Sequence, residues 1–208
     1  MPSAKHRKIV LTGGPGAGKT AVLELARRHF GAKAEVLHEA ASVVFSGGFP
    51  RQESIEARSA AQRAIYHVQV ELENVARAHS EAAVILCDRG TPDGLAYWPG
   101  APDEFWSQLR TSLAEELARY DAVIHLRTPS RRDGYHRDAV RIENAKTAEL
   151  IDERLLEIWA THPRRFLVES SHDFLEKTER TLAILEQEMA QSSTDDSSRP
   201  SLTPISPQ

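Results

Sequence analysis

Eight residues near the start of the chain, Gly13-Gly14-Pro15-Gly16-Ala17-Gly18-Lys19-Thr20, match the pattern of Gly, four residues, Gly, Lys and Ser or Thr. Glycines let a backbone turn its amides inward with no side chain in the way, and a helix that follows sets its positive N-terminal end against anions. In such a cradle Lys19 reaches the β and γ phosphates of a nucleoside triphosphate, and the Thr20 hydroxyl joins a magnesium shell. Triphosphate binding is the chemistry this spacing serves.

A second acid site closes the apolar run Val84-Ile85-Leu86-Cys87. Asp88 is the natural Walker B carboxylate, placed to hold magnesium directly or through water. Its neighbour Arg89 stands where motor ATPases commonly carry a water-activating glutamate, and arginine cannot act as a base at neutral pH. A water-activating engine is disfavoured. The late segments Asn144-Ala145-Lys146 and Glu176-Lys177-Thr178 do not make the Asn/Thr-Lys-x-Asp signature that reads guanine in Ras-like GTPases.

What fits is the plan of small-molecule kinases, in which an acid after the second or third strand faces the acceptor hydroxyl and arginines close over the phosphates. Glu39, in Leu37-His38-Glu39-Ala40, is the acid after the second strand. The sequence leaves open whether Glu39 or Asp88 is the base. The expected lid runs from Arg127 to Arg141 and holds Arg127, Arg131, Arg132, Arg137 and Arg141 against Asp133 and Asp138, a local balance of +3. Thr128-Pro129 and Asp133-Gly134 mark turns in it, and guanidinium groups stabilise charge spreading over a transferred phosphoryl group. Arg132 and Arg137 are expected on the nucleotide, and Arg141 in catalysis.

Short β-branched runs alternating with helical patterns must position these residues. The strands are expected at Lys8 to Leu11, Ala34 to Leu37, Ala82 to Cys87, Ala122 to Leu126 and Arg165 to Val168. A first helix runs to about Phe30 and stops at Gly31, and a loop holding Gly47, Gly48 and Pro50 precedes a long helix. That helix carries Ala61, Ile65, Val68, Leu72 and Val75 as an apolar stripe. A further helix is expected from about Pro102 to Arg119 and another ending near Trp159. The last begins at Asp173, with Glu176 completing a capping box and Leu175, Thr178, Leu182, Leu185 and Met189 along one side. This alternation implies an α/β fold, a doubly wound parallel sheet of about five strands with helices on both faces. Ligands in such sheets sit at the carboxyl ends of the strands, where the motifs lie.

The 208 residues hold 26 Lys and Arg against 30 Asp and Glu, a formal charge of −4, so the whole chain is no electrostatic trap for nucleic acid. One cysteine, Cys87, permits no internal disulfide, and the apolar runs fall short of a membrane span. A cytoplasmic protein that meets neither membrane nor nucleic acid is expected. Gln191 to Gln208 contains six serines, two threonines and three prolines, which predicts a disordered tail after a domain over 8–190 and a basic arm over 1–7.

These residues together resemble the NadR-type P-loop domain family, also described as an AAA-like ATPase domain, which includes ribosylnicotinamide kinases. The resemblance spans about residues 7–190. It rests on Gly13 to Thr20, Glu39, Gln62, Asp88-Arg89-Gly90 with Asp93 and Tyr97, Tyr120-Asp121, and Arg141 with Glu143. It implies that Gln62, Asp93 and Tyr97 line an acceptor pocket, where Glu39 and Arg89 are also expected to bind the substrate. Where relatives often carry an arginine three positions after the glutamate, this chain has Ser42. Two functions fit these residues. One is an ATP- and magnesium-dependent kinase of a small nucleoside-like hydroxyl acceptor, with GTP as the alternative donor; the other is a nucleotide-binding regulator with slow hydrolysis.

Overall fold

The computed structural model describes residues 6–128, 145–171 and 173–197. The strands are β1 (Arg7–Thr12), β2 (Ala34–Leu37), β3 (Val84–Asp88), β4 (Ala122–Leu126) and β5 (Arg165–Val168). The helices are α1 (Lys19–Phe30), α2 (Ala40–Ser46), α3 (Ile55–His79), α4 (Pro102–Leu109), α5 (Leu113–Leu117), α6 (Ala145–Ile158) and α7 (Phe174–Ser197). All strand pairs are parallel, in the order β2-β3-β1-β4-β5, so β1 is central and the connections reverse on either side of it. That is the expected doubly wound sheet.

Every residue of β3 and β4 is buried, as continuous apolar runs covered on both faces must be. Alternation along β1 sends Ile9 and Leu11 to one layer, where they meet Val22, Leu23 and Ala26 of α1 and Leu185 of α7. Val10 points to the other layer, with Ala76 of α3, Ile151 and Leu155 of α6, and Trp159. Among the described residues no helix is long and apolar enough to cross a membrane.

Four expectations are corrected. The chain after β2 is not all loop, because the Glu39 carbonyl accepts the Ser42 and Val43 amides and starts α2, which Gly47 and Gly48 end. The helix expected to run from about Pro102 to Arg119 breaks at Arg110, in the left-handed region with φ 55°; Ser112 then caps α5 by accepting the Glu115 amide. The buried face of α3 carries Ser59, Ala61, Tyr66, Gln69, Glu73 and Ala76, while Val75 is 59% exposed. Hydrophobicity missed this face because ion pairs and hydrogen bonds offset the burial of its polar members: Glu73 accepts from Lys8, Arg119, Tyr120 and Gln69.

The fourth correction concerns the inward side and the capping of α7, which runs to Ser197. Arg164 donates to Glu188 and to Gln191, which ties the helix to the sheet at that point. Its buried side is Lys177, Thr178, Thr181, Leu185 and Glu188, whereas Leu175 is exposed. The capping box is also rearranged. Asp173 Oδ1 caps Leu175, and Glu176 accepts from Ser171 instead.

Candidate active site

The turn between β1 and α1 is built on backbone geometry that side chains would block. Gly13 sits at φ 136°, and a Cβ there would lie 2.1 Å from the Leu126 carbonyl oxygen. At Gly14 a Cβ would come within 2.5 Å of Thr128 Oγ1 and 2.8 Å of the Ala148 carbonyl oxygen. Pro15 fills the wall between, Gly16 and Gly18 are also at positive φ, and the Ala17 amide closes the turn onto the Gly14 carbonyl. Lys19 folds back over this turn and donates to the carbonyls of Gly13 at 2.8 Å and Gly14 at 3.1 Å. Burial and the nearby Arg89 guanidinium bring its ammonium down to about 7.

At the next strand end Asp88 is buried, and burial pushes its carboxyl up while Lys19 and Arg89 pull it down. Oδ2 accepts from Thr20 Oγ1 at 3.3 Å, and Oδ1 is buried with no partner among the described residues. An unpartnered buried carboxylate oxygen beside the hydroxyl of Thr20 is a donor set that suits a hard divalent cation such as Mg²⁺.

Arg89 has φ 77°, rare for a residue with a side chain, while its own amide donates to Leu11 and prolongs the β1–β3 pairing. The side chain gains from this turn. Its Nε donates to Glu39 Oε1 at 2.5 Å, its Nη1 to the Gly13 carbonyl at 3.3 Å, and Nη1 lies 3.6 Å from Asp93 Oδ2. Burial alone would raise the Glu39 carboxyl, yet Arg89 and the Ser42 hydroxyl, which donates to Oε2 at 2.9 Å, bring it down to about 2. Asp93 is spent inside the protein: Oδ2 accepts from Thr12 and Oδ1 from the Trp159 indole, each at 2.7 Å.

One cavity of about 730 Å³ joins these groups, within the range of small-ligand sites. Pro15, Lys19, Thr20 and Asp88 line it beside Glu39, Arg89 and Asp93, and Gln62 and Tyr97 line it as well. The Arg89 guanidinium stands 5.4 Å from the Tyr97 ring centre. Pro15, Lys19, Thr20, Glu39, Gln62, Asp88, Arg89, Asp93 and Tyr97, all expected from the sequence, therefore meet at a single space, while Gly13, Gly14, Gly16, Ala17 and Gly18 form the turn beside it and are not among its lining. Arg132, Arg137 and Arg141, with Arg131 and Glu143, lie outside the described residues. Arg127 is described, and its Nε is 3.2 Å from Asp152 Oδ2.

Sequence reasoning missed the groups that hold the phosphate turn from behind. Asp152 of α6 is 1% exposed and accepts the Gly14 amide on Oδ1 at 2.9 Å, with His125 Nε2 at 2.9 Å from the same oxygen. Burial raises its carboxyl, but His125 and the Gly14 amide outweigh that and leave it below its ordinary value. Lys177 of α7 donates to the Ala17 carbonyl at 2.9 Å and the Arg127 carbonyl at 2.6 Å; burial brings its ammonium down to about 8. The available signal was an acid and a lysine on the inward faces of their helices.

A family model described as an AAA domain matches residues 8–177. Among solved structures the chain is similar to a deoxyadenosine kinase from M. mycoides with bound dATP, at 16% identity and a TM-score of 0.60 over 86% of this chain and 99% of that one. It is also similar to that kinase with the products dCMP and a flexible dCDP bound, at 14% identity and a TM-score of 0.57 over the same shares. A search of curated proteins finds no match. These likenesses establish a P-loop, kinase-like fold.

Proposed function

The chain belongs to the AAA domain family, and from that premise we propose that it is a phosphotransferase moving the γ-phosphoryl group of ATP to a hydroxyl of a small nucleoside-like acceptor. The observation that carries this reading is the shared cavity, in which Lys19, Thr20 and Asp88 lie beside the Glu39–Arg89 pair. A donor's phosphates and an acceptor's hydroxyl fit one space from which the protein can direct an in-line transfer. The likeness to a deoxyadenosine kinase supports a nucleoside-like acceptor, and the sequence resemblance to NadR-type domains supports the same class. ATP is the proposed donor, with GTP as the alternative, in a cytoplasmic setting.

Each group has a proposed role. Lys19 leaves the turn carbonyls for the β and γ phosphates, and the amides from Gly13 to Thr20 cradle them. Asp88 and Thr20 would hold Mg²⁺, which supplies charge neutralisation at the β and γ oxygens when bound. A carboxyl held near 2 is ionised at every working pH, so Glu39 accepts a hydrogen bond from the acceptor hydroxyl and aims it; the proton transfers late, as the bond to phosphorus forms. Arg89 holds Glu39 in place and offers charge to the transferred group. Gln62 and Tyr97 contact the acceptor, whereas Asp93 positions Arg89. Arg132, Arg137 and Arg141 are proposed from sequence alone as phosphate contacts.

The test is ADP release at fixed Mg-ATP across a panel of nucleosides, nucleotides and polyols. A kinase releases ADP at least about tenfold faster with its acceptor than without. A basal rate indifferent to every acceptor instead identifies a nucleotide-binding regulator.

A further inference from the structure

We propose that the acceptor end of the cavity is built for an anionic acceptor, whose phosphate or carboxylate group is held by Arg51 and Arg58. This rests on the kinase reading and names its substrate class. The inference follows from the charges that line the cavity and how each is answered within the protein. Arg89 is answered by Glu39 and Asp93. Lys19 rests on two carbonyls, with Asp88 among the charges that raise its pKa. The lining as a whole balances four cationic against four anionic side chains, but because Glu39 and Asp93 both face Arg89, the three that remain, Arg51, Glu53 and Arg58, carry a local balance of +1.

Neither arginine has a carboxylate partner among the described residues. Arg51 lies with its guanidinium 4.1 Å from the centre of the Phe45 ring, a stacking contact that orients the charge without neutralising it. Arg58 reaches only a neutral oxygen, the Tyr97 carbonyl, at 3.4 Å. It also stands in the first turns of the 25-residue helix α3, capped by Ser54, where the helix dipole adds positive potential. A cation placed there costs stability unless an anion meets it. Arginine rather than lysine supplies both charges, and the planar fork suits the paired oxygens of a phosphate or carboxylate.

The position fits an acceptor rather than the donor nucleotide. Arg58 contacts the backbone of Tyr97, whose ring stacks under Arg89, and Arg89 holds Glu39. A small molecule with its hydroxyl at Glu39 therefore has its far end within the reach of Arg58. The transfer is that proposed above. The hydroxyl oxygen bonds to the γ phosphorus, the bond from that phosphorus to the β–γ bridging oxygen breaks, the hydroxyl proton passes to the carboxylate, and ADP leaves.

The experiment compares matched acceptors, each nucleoside against its 5′-monophosphate and its 5′-carboxylate, with the wild type and an Arg51→Gln/Arg58→Gln variant. Both residues are exposed and neither pairs with a carboxylate among the described residues, so the variant is expected to fold and to melt within a few degrees of the wild type, Arg58→Gln relieving the helix end and Arg51→Gln losing the Phe45 contact. The wild type is expected to show a KM about tenfold lower for an anionic member than for its neutral match, and the variant to lose that advantage through KM. Preference for the neutral member, or an unchanged KM ratio in the variant, overturns the proposal. Whichever anion is favoured identifies the group. A calorimetric titration of the 5′-monophosphates into Lys19→Ala protein runs independently of turnover. Binding that weakens about fivefold or more when Arg51 and Arg58 are also replaced upholds the anion site even if no acceptor is phosphorylated, which would sink the kinase reading alone. Absent or unweakened binding there overturns the anion site.

Discussion

Arg89, held at φ 77° after β3, donates its Nε–H to Glu39 Oε1 at 2.5 Å, so the residues that close two neighbouring strands form one charged pair facing the phosphate turn. Backbone strain of this kind costs about 1–3 kcal/mol and persists where the surroundings over-determine it. Here the Leu11 carbonyl, Gly13 carbonyl, Glu39 and Asp93 all hold the residue.

The first prediction concerns that pair. Glu39→Gln should leave ATP binding nearly unchanged and lower kcat by about 10²- to 10³-fold, because it removes the carboxylate that takes the hydroxyl's proton. Arg89→Met should act differently. Without Arg89, burial raises the Glu39 carboxyl from its value of about 2, so activity should develop an acid limb, falling as pH drops below about 6. A pH–rate profile from pH 5 to 9 on both variants separates the two roles.

Lys19 gives a pH prediction for nucleotide binding. In the free protein its ammonium is lowered to about 7, and bound phosphates favour the charged form. Binding therefore takes up a proton above about pH 7, and affinity for ATP should weaken as pH rises from 7 to 9, by up to about tenfold per unit. Folding follows the same linkage. The unfolded chain keeps its proton up to the ordinary 10.5, so the stability Lys19→Met adds to the free protein should be full at and below about pH 7 and fade as pH climbs toward 10.5. Calorimetry in buffers of different ionisation enthalpy and melting curves across pH measure these effects.

Asp88→Asn is expected to raise the Mg²⁺ concentration needed for half-maximal activity by about tenfold or more, while binding of metal-free ATP stays close to wild type. A magnesium titration at saturating ATP reads this directly.

Much of this site was legible because its signals are local. The strand before Gly13, the turn from Gly13 to Thr20 and the acid that closes β3 each declare themselves within a few residues. Glu39 was found by position after β2. The burial of Gln69 and Glu73 on α3 was not legible, since a buried polar residue announces itself only through partners such as Lys8 and Arg119 that lie far away in sequence. For the same reason the inward bonds of Asp93, which lines the cavity, were not legible. Its bonds to Thr12 and Trp159 span 81 and 66 residues, one on each carboxylate oxygen.

Asp152 yields a stability prediction. Asp152→Ala leaves His125, Arg127 and the Gly14 amide without their buried acceptor, at a cost of about 2–3 kcal/mol and so roughly 5–10 °C in Tm. ATP affinity should weaken with it, because the turn loses the carboxylate that fixes Gly14. Asp152→Asn keeps one acceptor oxygen and should lose about half as much. Thermal melts with and without Mg-ATP check both effects.

The most direct test of the account is transfer of label from γ-labelled ATP to an acceptor, followed by mass analysis of the product. The wild type should yield a phosphorylated acceptor in equal amount to the ADP formed, and Lys19→Ala should abolish both, with a loss of roughly 3–4 kcal/mol in transition-state stabilisation. Label appearing only in inorganic phosphate, or a Lys19→Ala protein that turns over like the wild type, would contradict it.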